Sequence, residues 1–444
     1  MNAVKGTKIV IMNPPFTSRK KMGEKFTDKI REGLRKRIDY LHGRLISCDN
    51  DLKDFADKNS IEPLFTALAD ACVDKKNGII AMVLPTIALT AASSSVKRKI
   101  LAERFHIHTI VTCHQIGNMN MSQNSSINES ILIIKKDKNK ESTRVINLDR
   151  LPNNESEVND LCDAINTCNN GNISNGWGVV SDYKRENIEK GNWSACCIRN
   201  SELINSVDLI LNNKNLIEMG KQNISCNDTR SAIRKSDFLP CVKNNKNSFP
   251  VLDSSGSGGQ KSINPDPDSH WMPINPNSSD KEKLLNKSGY LLLTAGQRTT
   301  TSRLTAVAGD IEYVGRGWLP VSNINTDQSK GMSVFLNSTI GRLQFLRIPG
   351  RTLDFPLYNP AALKGIMVPD LKNDKIYKIL EKCWEKTKNM GVPQYRDGEC
   401  EVRQLWDKAV CDALKLDYEH VSKLRNLLHE EPIVKGVSHG HYKL

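Results

Sequence analysis

Residues 7–16 read TKIVIMNPPF, a short apolar run that ends on Asn-Pro-Pro-Phe. The succession Ile9, Val10, Ile11, Met12 has no polar alternation, so it predicts a strand buried in a parallel sheet. The loop at the carboxyl end of such a strand is where α/β proteins keep reacting groups. Asn-Pro and Pro-Pro are also ordinary turn formers, so the tetrapeptide alone reads equally as a surface turn. The chain around it decides between the two.

Residues 60–75, SIEPLFTALADACVDK, place Leu64, Leu68, Ala71 and Cys72 on a helical period. Ser60 can cap that helix, and Glu62 and Pro63 suit its first turn. Gly78 closes the connection, and GIIAMVLP (78–85) predicts a second buried strand. Residues 93–105 read as another helix, HIHTIVTC as a third strand, ESILIIKK as a fourth and TRVIN as a fifth. Helices of this length between apolar runs predict an α/β unit with a mostly parallel sheet. The charged stretch 20–39 reads as an exposed helix or loop.

Asn, Gly and Ser become frequent over 151–190, which reads as a linker. Beyond it, short apolar runs such as YLLLTAG, AVAGDIEYVGRGWLPVSN and KGMSVFLNS alternate with turns, and 253–270 reads as a flexible surface loop. The end of the chain is helical. The expected organisation is a catalytic α/β region over 1–150, the linker 151–190, a mixed α+β recognition region over 191–368 and a helical region over 369–444.

With 444 residues there is material for two or three domains. Lys and Arg number 63 against 50 Asp and Glu, a net charge of +13 that favours an acidic partner, most commonly nucleic acid. The 12 cysteines include no CxxC pair, which argues against a zinc ribbon or redox dithiol and for thiols in a reducing compartment. The histidines do not gather with acids or cysteines at ligand spacing, so no metal is expected. No stretch has the length and apolarity of a membrane span, nor does the start read as a secretory leader, so the expected location is the cytoplasm.

NPPF holds no general acid, base or nucleophile. Asn13 offers a side-chain carbonyl, Pro14 a backbone carbonyl on a chain stiffened by Pro15, and Phe16 a flat apolar face. These suit a planar ring with an exocyclic amino group: two acceptors for its N–H bonds, an aromatic to stack on it, and a lone pair aimed at an electrophile.

NPPF resembles motif IV of the amino-methyltransferases acting on DNA, in the form typical of adenine-N6 enzymes. GIIAMVLP fits that family's G-x-x-hydrophobic-x-hydrophobic-hydrophobic-P strand from Gly78 to Pro85, and ESILIIKK resembles its late strand. LNSTIGRLQFL, FPLYNPAALKGIMVPDL and LLHEEPIV resemble the recognition and tail regions of adenine methyltransferases from restriction-modification systems. The similarity covers most of the chain, specifically over 9–136 and loosely beyond. It implies a partial methyltransferase-type Rossmann-like sheet followed by a mixed α+β target-recognition region and a helical C-terminal tail. It also implies S-adenosyl-L-methionine as cofactor, double-stranded DNA as partner and a base flipped out of the duplex. Carried over residue by residue, Asn13 and the carbonyl of Pro14 hold N6, Phe16 stacks on adenine, and Pro15 fixes the turn.

The family places a cofactor half, with a G-x-G turn after a strand, ahead of motif IV, whereas twelve residues precede Asn13 here. GSGG at 256–259 and GRG at 315–317 read as loops. The leading expectation is an adenine-N6 DNA methyltransferase chain acting on a specific DNA sequence in a restriction-modification or defence system, an enzyme that is split or truncated or whose cofactor half a second chain supplies. The alternative is a non-catalytic recognition subunit or remnant, and a restriction subunit is a further partner of such systems. RNA or a protein glutamine would be the substrate in a third reading, but the long region after residue 190 favours DNA. Candidate DNA contacts are Lys20, Lys21 and Arg35 (with Lys36 and Arg37) near the pocket, then Arg298, Arg303, Arg316, Arg342 and Arg347 in the recognition region.

Overall fold

The computed structural model describes residues 6–15, 24–42, 62–90, 94–115, 121, 128–137, 142–191, 193–227, 238–241, 248–253, 259–274, 280–296, 299–348, 358 and 360–435. Phe16, Lys20, Lys21 and Arg298 lie outside the described residues. Two units divide the chain, with the boundary between Arg199 and Asn200.

The first unit is built on a seven-stranded sheet. Its strands are β1 (Ile9–Met12), β2 (Ile79–Pro85), β3 (His106–Cys113), β4 (Glu129–Lys135), β5 (Thr143–Leu148), β6 (Gly171–Ile173) and β7 (Gly178–Tyr183). In space they run β1-β2-β4-β3-β5-β7-β6. β1 is parallel to β2 and β3 to β5, but every other pairing is antiparallel. The sheet is therefore mixed rather than mostly parallel. Alternating burial in β4 matches the half-covered face it presents, a pattern that its apolar run ILII does not reveal.

Helices cover the face of β2 that carries Ile80, Met82 and Leu84. The Thr66 hydroxyl on the helix Glu62–Cys72 meets the Met82 sulfur at 3.9 Å. Ile38 from the charged helix Glu24–His42 is buried with Leu64 and Ala67, so that helix is solvated on one side only. Gly78 is required where it stands: a Cβ there would lie 2.3 Å from the Asp74 carbonyl oxygen.

Residues 151–190 are not a linker. They form the helix Glu155–Thr167 and strands β6 and β7, and they extend the first sheet past residue 150. Leu161 and Ala164 of the helix share a core with Val111, Ile146, Leu148, Trp177 and Val180. The Asn and Gly residues that suggested a linker do local work. Asn154 caps the helix by accepting from Glu157 N at 3.0 Å, Gly171 takes a positive φ where β6 begins, and Asn175 and Gly176 take the positive φ that the β6–β7 connection needs.

The second unit, Asn200–Val437, holds another seven-stranded sheet and most of the remaining helices. The recognition and tail regions expected at 191–368 and 369–444 are one unit here. The helix Thr326–Asn337 packs against both the strand Ala306–Gly315 and the helix Asp374–Thr387. KGMSVFLNS lies in that first helix; its run 329–337 is buried on all sides, which is why its apolar pattern resembles a strand. Part of the expected surface loop 253–270 is interior as well. Ile263 is fully buried and its carbonyl accepts from Ala308 N at 3.0 Å.

Candidate active site

β1 pairs with β2 in register up to Met12 and Met82, and Asn13, Pro14 and Pro15 follow at once. Asn13 and Pro15 are exposed, whereas Pro14 is buried. The run therefore stands at the carboxyl end of a strand parallel to its neighbour, with its polar side chain facing solvent and its first proline anchored.

The carboxyl ends of β2, β3 and β5 lie on the same edge of the sheet as Asn13, together with the start of β4. At β2 the Thr86 and Ser130 hydroxyls are 2.7 Å apart, tying the end of β2 to the beginning of β4. Glu129 is buried beside this link and accepts from Met121 N at 2.8 Å.

A polar cluster that the motifs did not indicate lies at the ends of β3 and β5. The Asn147 side-chain oxygen accepts from the Thr112 hydroxyl at 2.5 Å and contacts His114 Nε2 at 3.0 Å. Because that oxygen only accepts, Nε2 carries the proton, and Nδ1 is an acceptor with no hydrogen-bond partner among the described residues. Burial pushes the His114 pKa down to about 4, so the ring is neutral. Next to it Arg199 pairs with Asp149 at 2.9 Å. The available signal was a pair of polar residues, Thr112 and Asn147, inside otherwise apolar strands.

Among the expected DNA contacts in the second unit, each described arginine has a partner within the protein. Arg342 is corrected outright: it is 1% exposed, bonds the Thr299 carbonyl at 3.2 Å and the Ser302 hydroxyl, and stacks over Tyr395 at 4.5 Å. It is an interior strut that cannot reach a duplex. Arg303 is half-buried and donates to the Val392 carbonyl at 2.7 Å. Arg316 pairs with Asp253 at 2.5 Å and Arg347 with Asp208 at 2.7 Å, each leaving part of its side chain exposed. Arg35 lies half-buried on the helix Glu24–His42. A cavity of 360 Å³ in the second unit is lined by Tyr395, Arg403, Arg425 and His429, among others, and holds none of these candidates.

Among the described residues no glycine turn follows β1, β2, β3 or β5, the strands that end on the same side of the sheet as Asn13, and no residue is assigned to S-adenosylmethionine, the cofactor implied by motif IV. Among the described residues no three His, Cys, Asp or Glu side chains gather for a metal, and no helix is long and apolar enough to cross a membrane.

No family model and no curated protein matches the chain. Solved structures of restriction-modification enzymes do. The type IIG restriction endonuclease BpuSI is 15% identical with a TM-score of 0.40, over 96% of this chain and 54% of its own. The type IIL enzyme MmeI, solved in complex with DNA, is 11% identical with a TM-score of 0.44, over 97% and 54%. A type I methyltransferase subunit from Streptococcus thermophilus is 18% identical with a TM-score of 0.29, over 44% and 37%. The chain thus spans about half the length of BpuSI and MmeI. At these scores the likeness is a partial one of chain course, and no function follows from it.

Proposed function

We propose that the chain carries the base-holding part of a DNA amino-methyltransferase and that its target is the N6 amino group of a flipped adenine. The observation behind this reading is the placement of Asn13 and Pro14: an exposed amide after a short parallel strand, followed by a buried proline that pins the main chain. In this role the Asn13 side-chain carbonyl and the Pro14 main-chain carbonyl accept the two N6–H bonds. Holding both protons in fixed directions turns the nitrogen lone pair out of conjugation with the ring and toward the methyl donor. The methyl group itself belongs to S-adenosylmethionine, for which the described residues supply no cradle. Phe16 stacks on the base, and the second unit, with exposed portions of Arg316 and Arg347, contacts the duplex. A +13 chain suits that partner.

The test is made in the organism that produces the protein. Its gene is deleted, then restored as wild type or as Asn13→Ala, and N6-methyladenine in the DNA is measured by mass spectrometry. The modification is expected to disappear on deletion, return with the wild type and stay absent with Asn13→Ala at equal protein level. Full modification by the variant would sink the role given to Asn13.

A further inference from the structure

The cavity of 360 Å³ in the second unit is lined by the start of the helix Glu401–Leu414, the turn before it and the later part of the helix Tyr418–Glu430. That volume is usual for a small-molecule site. Neither the duplex contacts nor the proposed base pocket uses it.

Arg403 lines the cavity and is only 4% exposed. Its NH1 and NH2 groups donate to the main-chain carbonyls of Gly398, at 3.3 Å, and Pro393, at 2.5 Å. Nε has no partner, and no carboxylate pairs with this guanidinium among the described residues. The group lies 4.3 Å from the centre of the Tyr395 ring, and Arg342 lies 4.5 Å from the same ring. Burial holds the Tyr395 hydroxyl in its neutral form, so the ring carries no counter-charge for the two cations. Burial also lowers the pKa of Arg342, and the charge of Arg403 lowers it further. An interior cation without an anion is costly to hold.

The main chain adds to this field. Cys400 is the N-cap of the helix Glu401–Leu414, and its side chain takes no hydrogen bond from the first turn. Cys400 lines the cavity too, so the positive end of the helix dipole borders it with no side chain capping its N–H groups. On the other wall the helix Tyr418–Glu430 contributes Arg425, Asn426 and His429. Arg425 is fixed there by ion pairs to Asp407 at 2.8 Å and Glu399 at 3.3 Å.

We propose that this cavity binds the phosphate group of a small molecule, with its oxygens between Arg403, the start of the helix Glu401–Leu414 and the Asn426 wall. A carboxylate brings two oxygens, whereas a phosphate brings three strong acceptors to donors that approach from several directions. Guanidinium groups and uncapped helix starts are both suited to it. Duplex DNA carries the same group but fits less well. Arg403 is buried, and the exposed carboxylates of Glu399 and Glu430 line the same cavity and would repel a continuous polyanion. The hydroxyl or amino groups of a small ligand can instead donate to them.

The full chain is titrated by calorimetry with inorganic phosphate, adenosine monophosphate and adenosine. Saturable one-to-one binding is expected for at least one of the two phosphate probes and none for adenosine. Asn426→Asp adds a negative charge at an exposed position of the wall; it should unfold at the wild-type temperature and weaken binding by about tenfold or more. Arg403→Gln should abolish binding. Preference for adenosine monophosphate would identify a nucleoside phosphate as the ligand, and equal binding of inorganic phosphate would show that the phosphate group alone is read; both support the site. The proposal is overturned if neither phosphate probe binds, if adenosine binds as well as its monophosphate, or if Asn426→Asp binds undiminished. A short duplex that displaces the bound probe, and whose own affinity drops tenfold in Asn426→Asp, overturns it as well by making the cavity part of a DNA surface.

Discussion

Asp407 accepts two hydrogen bonds from Thr339, one from its backbone N–H and one from its hydroxyl, both at 2.7 Å. Thr339 opens the helix Thr339–Arg347, so a carboxylate from another helix satisfies a first-turn donor there. Arg425 closes the arrangement with a 2.8 Å ion pair to the same fully buried carboxylate. Asp407→Ala leaves Arg425 with its interior partner removed and should cost about 3–5 kcal/mol. Urea unfolding of the variant checks this; a loss below 1 kcal/mol would show that the pair is dispensable.

Arg342 is spent inside the second unit, so its removal should damage the fold and spare the DNA contact. Arg342→Lys keeps the charge but loses the fork that bonds Thr299 and Ser302, at about 2 kcal/mol. At a temperature where the variant is folded, its affinity for duplex DNA should match the wild type. Weaker binding by the folded variant would restore Arg342 to the DNA surface.

The pH dependence of stability should show His114. Its folded pKa lies near 4, below its ordinary 6.5, because burial disfavours the imidazolium. Between those values the unfolded chain binds more protons, so stability falls as pH drops from 6.5 toward 4 and is complete above 6.5. Relative to His114→Gln, the wild type should lose about 2 kcal/mol between pH 7 and pH 5. Parallel pH profiles for the two proteins would count against a buried neutral histidine.

At position 13 an acceptor matters more than an amide. Asn13→Asp keeps an oxygen that can take the amino proton and should retain measurable methylation in the complete enzyme. Asn13→Ala should lose roughly 10²-fold or more. Equal losses in the two variants would argue that Asn13 acts through its NH2 group.

Duplex binding through Lys and Arg should weaken steeply with salt. If the complex neutralises about six phosphates, raising salt from 50 to 200 mM should cost on the order of 10³-fold in affinity. A flat titration would leave the net charge without a role in DNA contact.

What could be read from the residues followed the reach of local rules. The helix Glu62–Cys72 and the strands around it are legible because apolar period and caps are local signals. The direction of β4 is not, since ILII reads alike whichever neighbour it joins. Composition misleads at 151–190, where the Asn and Gly of caps and positive-φ turns read as a linker. For the site, Asn13 and Pro14 were visible as a motif, whereas the Thr112–Asn147–His114 cluster exists only once β3 and β5 lie side by side. The interior place of Arg342 is not legible, because a charged side chain gives no sequence sign that Tyr395, more than fifty positions away, will form its floor.

The unequal edges of the first sheet bear on the protein's life in the cell. A blunt end at β6 ends sheet growth, but an uncovered IVIM at β1 is a sticky template for any extended chain nearby. At high concentration such an edge favours association, so the solubility of the protein depends on how well those four residues are kept from other chains.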